Sequence, residues 1–438
     1  MPFVHPADSR RLRRRQTLTV ALLFGGYGAL YFCRADLSVS TPLIIDELHL
    51  RGVSHGDAVI RMGAITSLGV LAYALGKLLL GGLGDYWGGR VSFLIGLGGA
   101  TGFTLLFAAG SYVPVFTIAW LGNRLTQSIA WAGLIKVSSK WIDFSSYGAI
   151  IGLLSVSYLV GDAVARQCMG SLIRHGMGWR PLFYLAAGVA GAMLIANAWF
   201  LRESRVDEGF AEAQTNPLNL FAASEGRPGS LRELLLPLLR SRAFLLVCML
   251  SLGCTIIRET FNIWTPVYLR DHLGYSLSNA ASLSAVFPAL GAVSVIVTGW
   301  LSDRIGVNGR SLLLFVGLTA TAAALLALVP VGASAAGATF PLLAIGCIAF
   351  CLLGPYSYLG GAIAADFGGK QASAASSGII DGVGYLGAVA AGDSVARLSV
   401  ALGWQRVFLA LAAVSALAAV GAGYLHFLSA RATARQVP

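Results

Sequence analysis

Between Gly25 and Pro42 the chain reads GGYGALYFCRADLSVSTP, an apolar, helix-length run that carries one arginine, Arg34. An arginine at bilayer depth costs about 2.5–3.5 kcal/mol on insertion scales, so it faces a wet cavity and has a function there. The spacing Tyr27-x-x-x-Tyr31-x-x-Arg34 places both phenols and the guanidinium on one helix face. A planar, forked cation beside two hydroxyls is suited to holding a phosphate or a carboxylate. The pattern returns at Arg258, which is followed by ETFNIWTP as Arg34 is followed by ADLSVSTP. Thr41-Pro42 and Thr265-Pro266 stand at the same offset of 224 residues. Two matched halves, each with one arginine at the corresponding point of its first helix, are the expected frame.

The elements that must position these arginines follow from composition. Of 438 residues, 56% are hydrophobic and 12% charged, against about 25% charged in a soluble domain. The mean hydropathy of +0.73 and continuous apolar runs describe an integral membrane protein of helices, and exclude a barrel of short alternating strands. No cleavable signal is expected, because the amino terminus is polar and the first apolar run is too long for a signal core. The six cysteines all fall inside apolar runs without metal-type spacing and read as small buried hydrophobes. The net charge of +11 is concentrated at Arg10, Arg11, Arg13, Arg14 and Arg15 before the first helix, and at Arg227, Arg232, Arg240 and Arg242 in the central segment. That is a positive-inside bias and not a nucleic-acid footprint, and it places the amino terminus and the central loop in the cytoplasm.

Twelve spans are expected, near 17–41, 59–83, 89–110, 113–139, 147–173, 180–201, 243–269, 279–301, 311–330, 338–365, 373–400 and 404–427. The plan is all-α: a cytoplasmic tail 1–16, a six-helix bundle 17–201, a cytoplasmic linker 202–242, a second six-helix bundle 243–428 and a tail 429–438. The linker contains Pro217, Pro228 and Gly229, and its amphipathic run Leu231–Leu239 is expected to lie on the membrane surface. A second repeat links helices two and three of each half: Gly81-x-x-x-Asp85-x-x-Gly88-x-Arg90 matches Gly299-x-x-x-Asp303-Arg304-x-Gly306-x-x-x-Arg310. A glycine turn with an acid and a base can latch helices and release them as the halves rock. Asp85, Arg90, Asp303, Arg304 and Arg310 are therefore expected to be gating residues. With both repeats in a 6+6 plan, the chain resembles the major facilitator superfamily over nearly its whole length.

The intramembrane polar residues resemble one branch, the organophosphate:phosphate antiporters. Tyr27, Tyr31 and Arg34 match its first helix, Tyr73-Ala-Leu-Gly-Lys77 its second, and Arg258 its second phosphate arginine. Gly384-Tyr385-Leu386-Gly387 after Lys370 fits its eleventh helix, while Gln127, Trp131 and Lys136 fit its fourth. The resemblance implies that Arg34, Arg258, Lys77, Tyr27, Tyr31, Tyr73, Tyr385, Gln127 and Trp131 bind substrate. Two departures stand out: Ala35 replaces a common base, and Tyr158 stands where the glycerol-phosphate branch carries a histidine. The chain adds Arg124, Asp162, Arg166, Asp381, Asp393 and Arg397, expected to act in selectivity or coupling. Gly392-Asp393-Ser394 with a base one turn later resembles the hexose-phosphate branch.

Structural alternatives stand beside these roles. Asp36 or Glu259 would neutralise Arg34 or Arg258, but residues one or two apart diverge on a helix. Asp162–Arg166 and Asp393–Arg397 are self-neutralising i,i+4 pairs, whereas Asp381 has no base on its own helix. The expected function is exchange of an organic phosphate for inorganic phosphate by alternating access, in a bacterial inner membrane, by a monomer with both termini cytoplasmic. Neither a cofactor nor nucleic acid is expected, and no catalytic constellation points to an enzyme. The competing expectations are proton-driven symport of a sugar acid, which RADLSV also resembles, and a transporter-like sensor of a phosphorylated sugar.

Overall fold

A chain surrounded by hydrocarbon must satisfy every backbone amide and carbonyl internally, and a continuous apolar run does so as a helix. The computed structural model describes residues 6–80, 88–213, 236, 238–305, 307–331 and 339–434, and among these it is helical without a strand. In chain order the helices are α1 (Pro6–Leu50), α2 (His55–Leu80), α3 (Gly89–Ala109), α4 (Val113–Gln127), α5 (Ala130–Trp141), α6 (Phe144–Arg174) and α7 (Trp179–Phe200). After the linker come α8 (Arg242–Val267), α9 (Leu277–Leu283), α10 (Val286–Ile305), α11 (Val307–Leu328), α12 (Thr339–Tyr358), α13 (Ala364–Ala388) and α14 (Asp393–Ala434).

Nine of the described helical stretches are long and apolar enough to cross a membrane, which is consistent with the twelve expected spans. The expected fourth span breaks after Gln127 into two shorter helices, α4 and α5. Spans eleven and twelve form one continuous stretch that turns at Gly403, whose φ of 79° belongs to the left-handed region. The expected boundary between spans ten and eleven is absent, because α12 passes through a π turn at Leu359–Ile363 directly into α13. Most of the linker, including residues 231–235 and 237 of its amphipathic run, lies outside the described residues, as does Asp85; the side chain of Asp303 is likewise not described.

Packing repeats between the halves. Within the first, α1 packs on α6, α2 on α4 and α3 on α7; within the second, α8 packs on α13, α10 on α12 and α11 on α14. Across the interface α1 meets α8, α2 meets α13 and α14, and α6 meets α9 and α10. Residues one repeat apart touch each other: Ser38 Oγ donates to Asn262 O at 2.8 Å, and Arg270 NH2 lies 2.6 Å from Asp46 Oδ2. Repeat-related positions meet only close to the axis relating the halves, so that axis passes between α1 and α8. The ties between halves gather at the end of α1 away from the amino terminus, where Gln167 Nε2 also donates to Ser282 O and Ser67 Oγ to Val389 O. Close approach there requires glycine: a Cβ on Gly392 would lie 2.6 Å from Gly63 O.

Candidate functional site

Arg34 sits directly after a break in α1. Cys33 leaves helical geometry, with φ −78° and ψ 16°. The amide of Leu37 donates to Asp36 Oδ1 at 2.6 Å. The Cys33 carbonyl accepts from Gln127 Nε2 at 3.4 Å, and the same side-chain amide's Oε1 accepts from Arg34 Nε at 2.7 Å. Gln127 is held in turn by Asn123, whose Oδ1 accepts from it at 2.6 Å and whose Nδ2 donates to Thr104 Oγ1 at 2.9 Å. A single glutamine on α4 therefore caps the kink and orients the guanidinium. Arg34 NH1 donates to Tyr31 OH at 3.0 Å, and its charge rests over the Tyr31 and Tyr73 rings at 4.5 Å each.

The cavity beside Arg34 lies between the halves and is lined by residues of α1, α2, α4, α6 and α8. Tyr31, Arg34, Arg124, Asp162, Arg166 and Arg258 all reach it. Tyr158 stands against Tyr31 with ring centroids 5.1 Å apart, and Tyr27 packs between Tyr31 and Trp131 at 5.8 and 5.0 Å. Tyr73 meets Tyr385 from the other half at 4.9 Å. Of the expected substrate-binding set, the structure thus gathers Arg34, Tyr27, Tyr31, Tyr73, Tyr385, Gln127 and Trp131 around one wall.

Three expectations change. Arg258 is not kept apart from its neighbour: Nε and NH2 approach Glu259 Oε1 at 3.1 and 2.8 Å, and NH1 donates to Tyr356 OH at 3.2 Å. Adjacent Cα–Cβ bonds diverge on a helix, but both side chains are long enough to curl back to one another. Asp381 does have a base, supplied from across the interface by Lys77 Nζ at 3.1 Å. Asp393–Arg397 forms as an i,i+4 pair at 2.8 Å, but Arg397 is 62% exposed and the pair does not line the cavity.

Arg166 pairs with Asp162 at 2.9 Å and also reaches the other half, donating to Asn262 O at 2.8 Å and Ser284 Oγ at 3.0 Å. Asn262 O is free because the residue four places on is Pro266, which has no N–H to give. The repeated Thr-Pro motif thus opens a carbonyl at the interface.

Of the expected latch residues, Arg90 joins two neighbouring helices of the first half, α3 and α7. Arg90 NH2 donates to Ala198 O at 2.6 Å, and the first amides of α3, Gly89 and Arg90, donate to Glu203 at 2.9 and 2.7 Å. Lys140 completes this hub, 2.6 Å from Glu203 Oε1. Burial opposes ionisation of Glu203 and is the largest single influence, yet the Lys140 bond and the two helix amides together hold its carboxyl below the ordinary range. Arg304 stacks on Trp300 of its own helix at 3.9 Å, and Arg310 lies half-buried early in α11. Among the described residues no His, Cys, Asp or Glu cluster has the makings of a metal site.

Sequence reasoning passed over Asn123, Trp120 and Tyr356. Asn123 had a readable signal, since Asn123-x-x-x-Gln127 places two amides on one face of an apolar helix. Tyr356 had none, because nothing in its own run points to Arg258.

The chain is similar to several known proteins along most of its length. The chain is 25% identical over 421 residues to the membrane sensor protein UhpC of Escherichia coli (strain K12), spanning 94% of this chain and 92% of that one. It is 25% identical over 415 residues to a probable hexose phosphate transport protein of Chlamydia trachomatis serovar D, spanning 91% and 88%. A D-xylose-proton symporter shares its fold with a TM-score of 0.71 at 15% identity, over 92% of this chain and 96% of that chain. A family model described as Major Facilitator Superfamily matches residues 23–392, and the chain belongs to that superfamily of multi-pass membrane transporters.

Proposed function

We propose that this chain is a secondary transporter that exchanges an organic phosphate for inorganic phosphate by alternating access. One observation carries the reading. Arg34 is fixed by Gln127 and Tyr31 on the wall of a cavity between the halves, and among the described residues it has no carboxylate partner within 4.0 Å. A preoriented guanidinium without a counter-ion is a receptor for an external anion. The names of relatives, a hexose phosphate transport protein among them, support a phosphorylated substrate. In this reading phosphate docks on Arg34, and Arg258 joins from the other half once Glu259 gives way. The test is uptake of labelled phosphate into phosphate-loaded proteoliposomes, competed by sugar phosphates, glycerol phosphate and sugar acids. Competition by phosphate esters alone supports the proposal, whereas competition by sugar acids alone rejects it.

Two other readings have observations of their own. Asp36 is fully buried and its Oδ2 has no hydrogen-bond partner, which suits a proton carrier in a carboxylate symporter. That reading gains if flux collapses with an uncoupler. One relative is by name a membrane sensor, and a sensor would bind phosphate esters with negligible flux.

A further inference from the structure

Four arginines line the cavity, and two are already engaged. Arg166 is bound to Asp162 and to the facing half. Arg258 has an acceptor at each of its nitrogens: Glu259 takes Nε and NH2, and Tyr356 takes NH1. Arg34 and Arg124 remain, and among the described residues neither has a carboxylate within 4.0 Å.

Arg124 is only 4% exposed, and its Nε has no hydrogen-bond partner. Its position is nonetheless built. The guanidinium lies 4.8 Å from the Tyr73 ring centroid and 5.8 Å from that of Trp120. Its stem rests on Gly69, where a Cβ would stand 3.1 Å from Arg124 Cγ and 2.3 Å from Trp120 Nε1. Arg34 occupies the same Tyr73 ring at 4.5 Å, so two cations flank one aromatic side chain. Asp36, the nearby acid of α1, is turned to its own backbone through the Leu37 amide and does not line the cavity. Aromatic faces hold the two charges in place without neutralising them, and a buried donor without an acceptor is costly until an anion arrives.

We propose that Arg124 is a second phosphate-binding cation, which grips a phosphate dianion together with Arg34 from the same half while Glu259 holds Arg258 in reserve. This rests on the anion-binding reading above and moves the first docking position off the axis. The charges match, since phosphate monoesters are close to dianionic above a second pKa of about 6.

Binding of labelled inorganic phosphate to the purified full chain at about pH 7.5, above that pKa, is the test. Arg124→Gln is expected to weaken binding at least about tenfold, and Arg124→Lys by less, because it keeps the charge and loses the fork. Arg258→Gln is expected to cost less than Arg124→Gln. Wild-type affinity in Arg124→Gln overturns the assignment and leaves the transport reading standing. If the wild-type protein binds neither phosphate nor any phosphate ester, both fall. A second measurement needs no variant: phosphate should protect Arg124 of the wild-type chain from phenylglyoxal, read by peptide mass. Equal modification with and without phosphate overturns the proposal.

Discussion

At the scale of single residues, the proposed function depends on how firmly Arg34 is aimed. Its Nε and NH1 are committed to Gln127 and Tyr31, which leaves the rest of the fork for an anion. A lysine keeps the charge but cannot hold both neighbours and the anion together. A charge-assisted bond lost at a buried site costs about 1.5–3 kcal/mol. Phosphate exchange by Arg34→Lys in proteoliposomes is therefore expected to fall at least about tenfold; near-normal flux would remove Arg34 from the site. Much of this was legible beforehand, because a charge or phenol inside an apolar run is conspicuous and helical spacing assigns it a face. What stayed hidden was pairing. Lys77 finds Asp381 on another helix, which spacing along one helix does not reveal. The same spacing argument wrongly separated Arg258 from Glu259, because it follows Cα–Cβ directions and ignores the reach of long side chains.

At the scale of elements, the repeated Thr-Pro motif was visible in the sequence, and its consequence only in the structure. Pro266 leaves Asn262 O without an intrahelical donor, and Ser38 and Arg166 take it from the other half. Pro266→Ala restores an N–H, lets α8 close its own ladder and weakens the tie between the halves. A cysteine introduced by Ser284→Cys, beside this contact, is expected to react faster with a polar maleimide in the Pro266→Ala background; an unchanged rate would separate the proline from the interface. Glu203 gathers α3 and α5 at the opposite end of the bundle. Its folded carboxyl sits below its unfolded value, so its stabilisation is complete above the ordinary carboxylate range and disappears as pH falls through the folded value. The thermal stability of the solubilised wild type is accordingly expected to exceed that of Glu203→Gln at neutral pH and to converge with it in acid. A constant difference across that range would show that Glu203 contributes no charge-dependent stability.

At the scale of the whole molecule, the pairing of charges bears on the transport cycle. The halves touch around an axis on which Ser38 meets Asn262 and Asp46 meets Arg270, each one repeat apart, and in the proposed cycle rocking about it would expose the cavity to one side at a time. Around the cavity, Lys77 is matched by Asp381, Arg166 by Asp162 and Arg258 by Glu259, while among the described residues Arg34 and Arg124 have no carboxylate within 4.0 Å. An empty cavity keeps two like charges buried without a counter-ion, and sealing it removes the water that still reaches Arg34, at an effective penalty of several kcal/mol per buried ion. A bound dianion removes most of that penalty, and only about 1.4 kcal/mol separates rates differing tenfold. The loaded carrier should therefore cross readily and the empty one slowly. Labelled phosphate is expected to leave preloaded vesicles at least about tenfold faster into medium containing phosphate than into medium without it. Arg124→Gln should narrow that ratio by speeding the empty return, even as it weakens binding. Equal rates in both media for the wild type would mean that the empty cavity closes freely, and the two arginines would then set affinity alone and not the coupling of one substrate to the other.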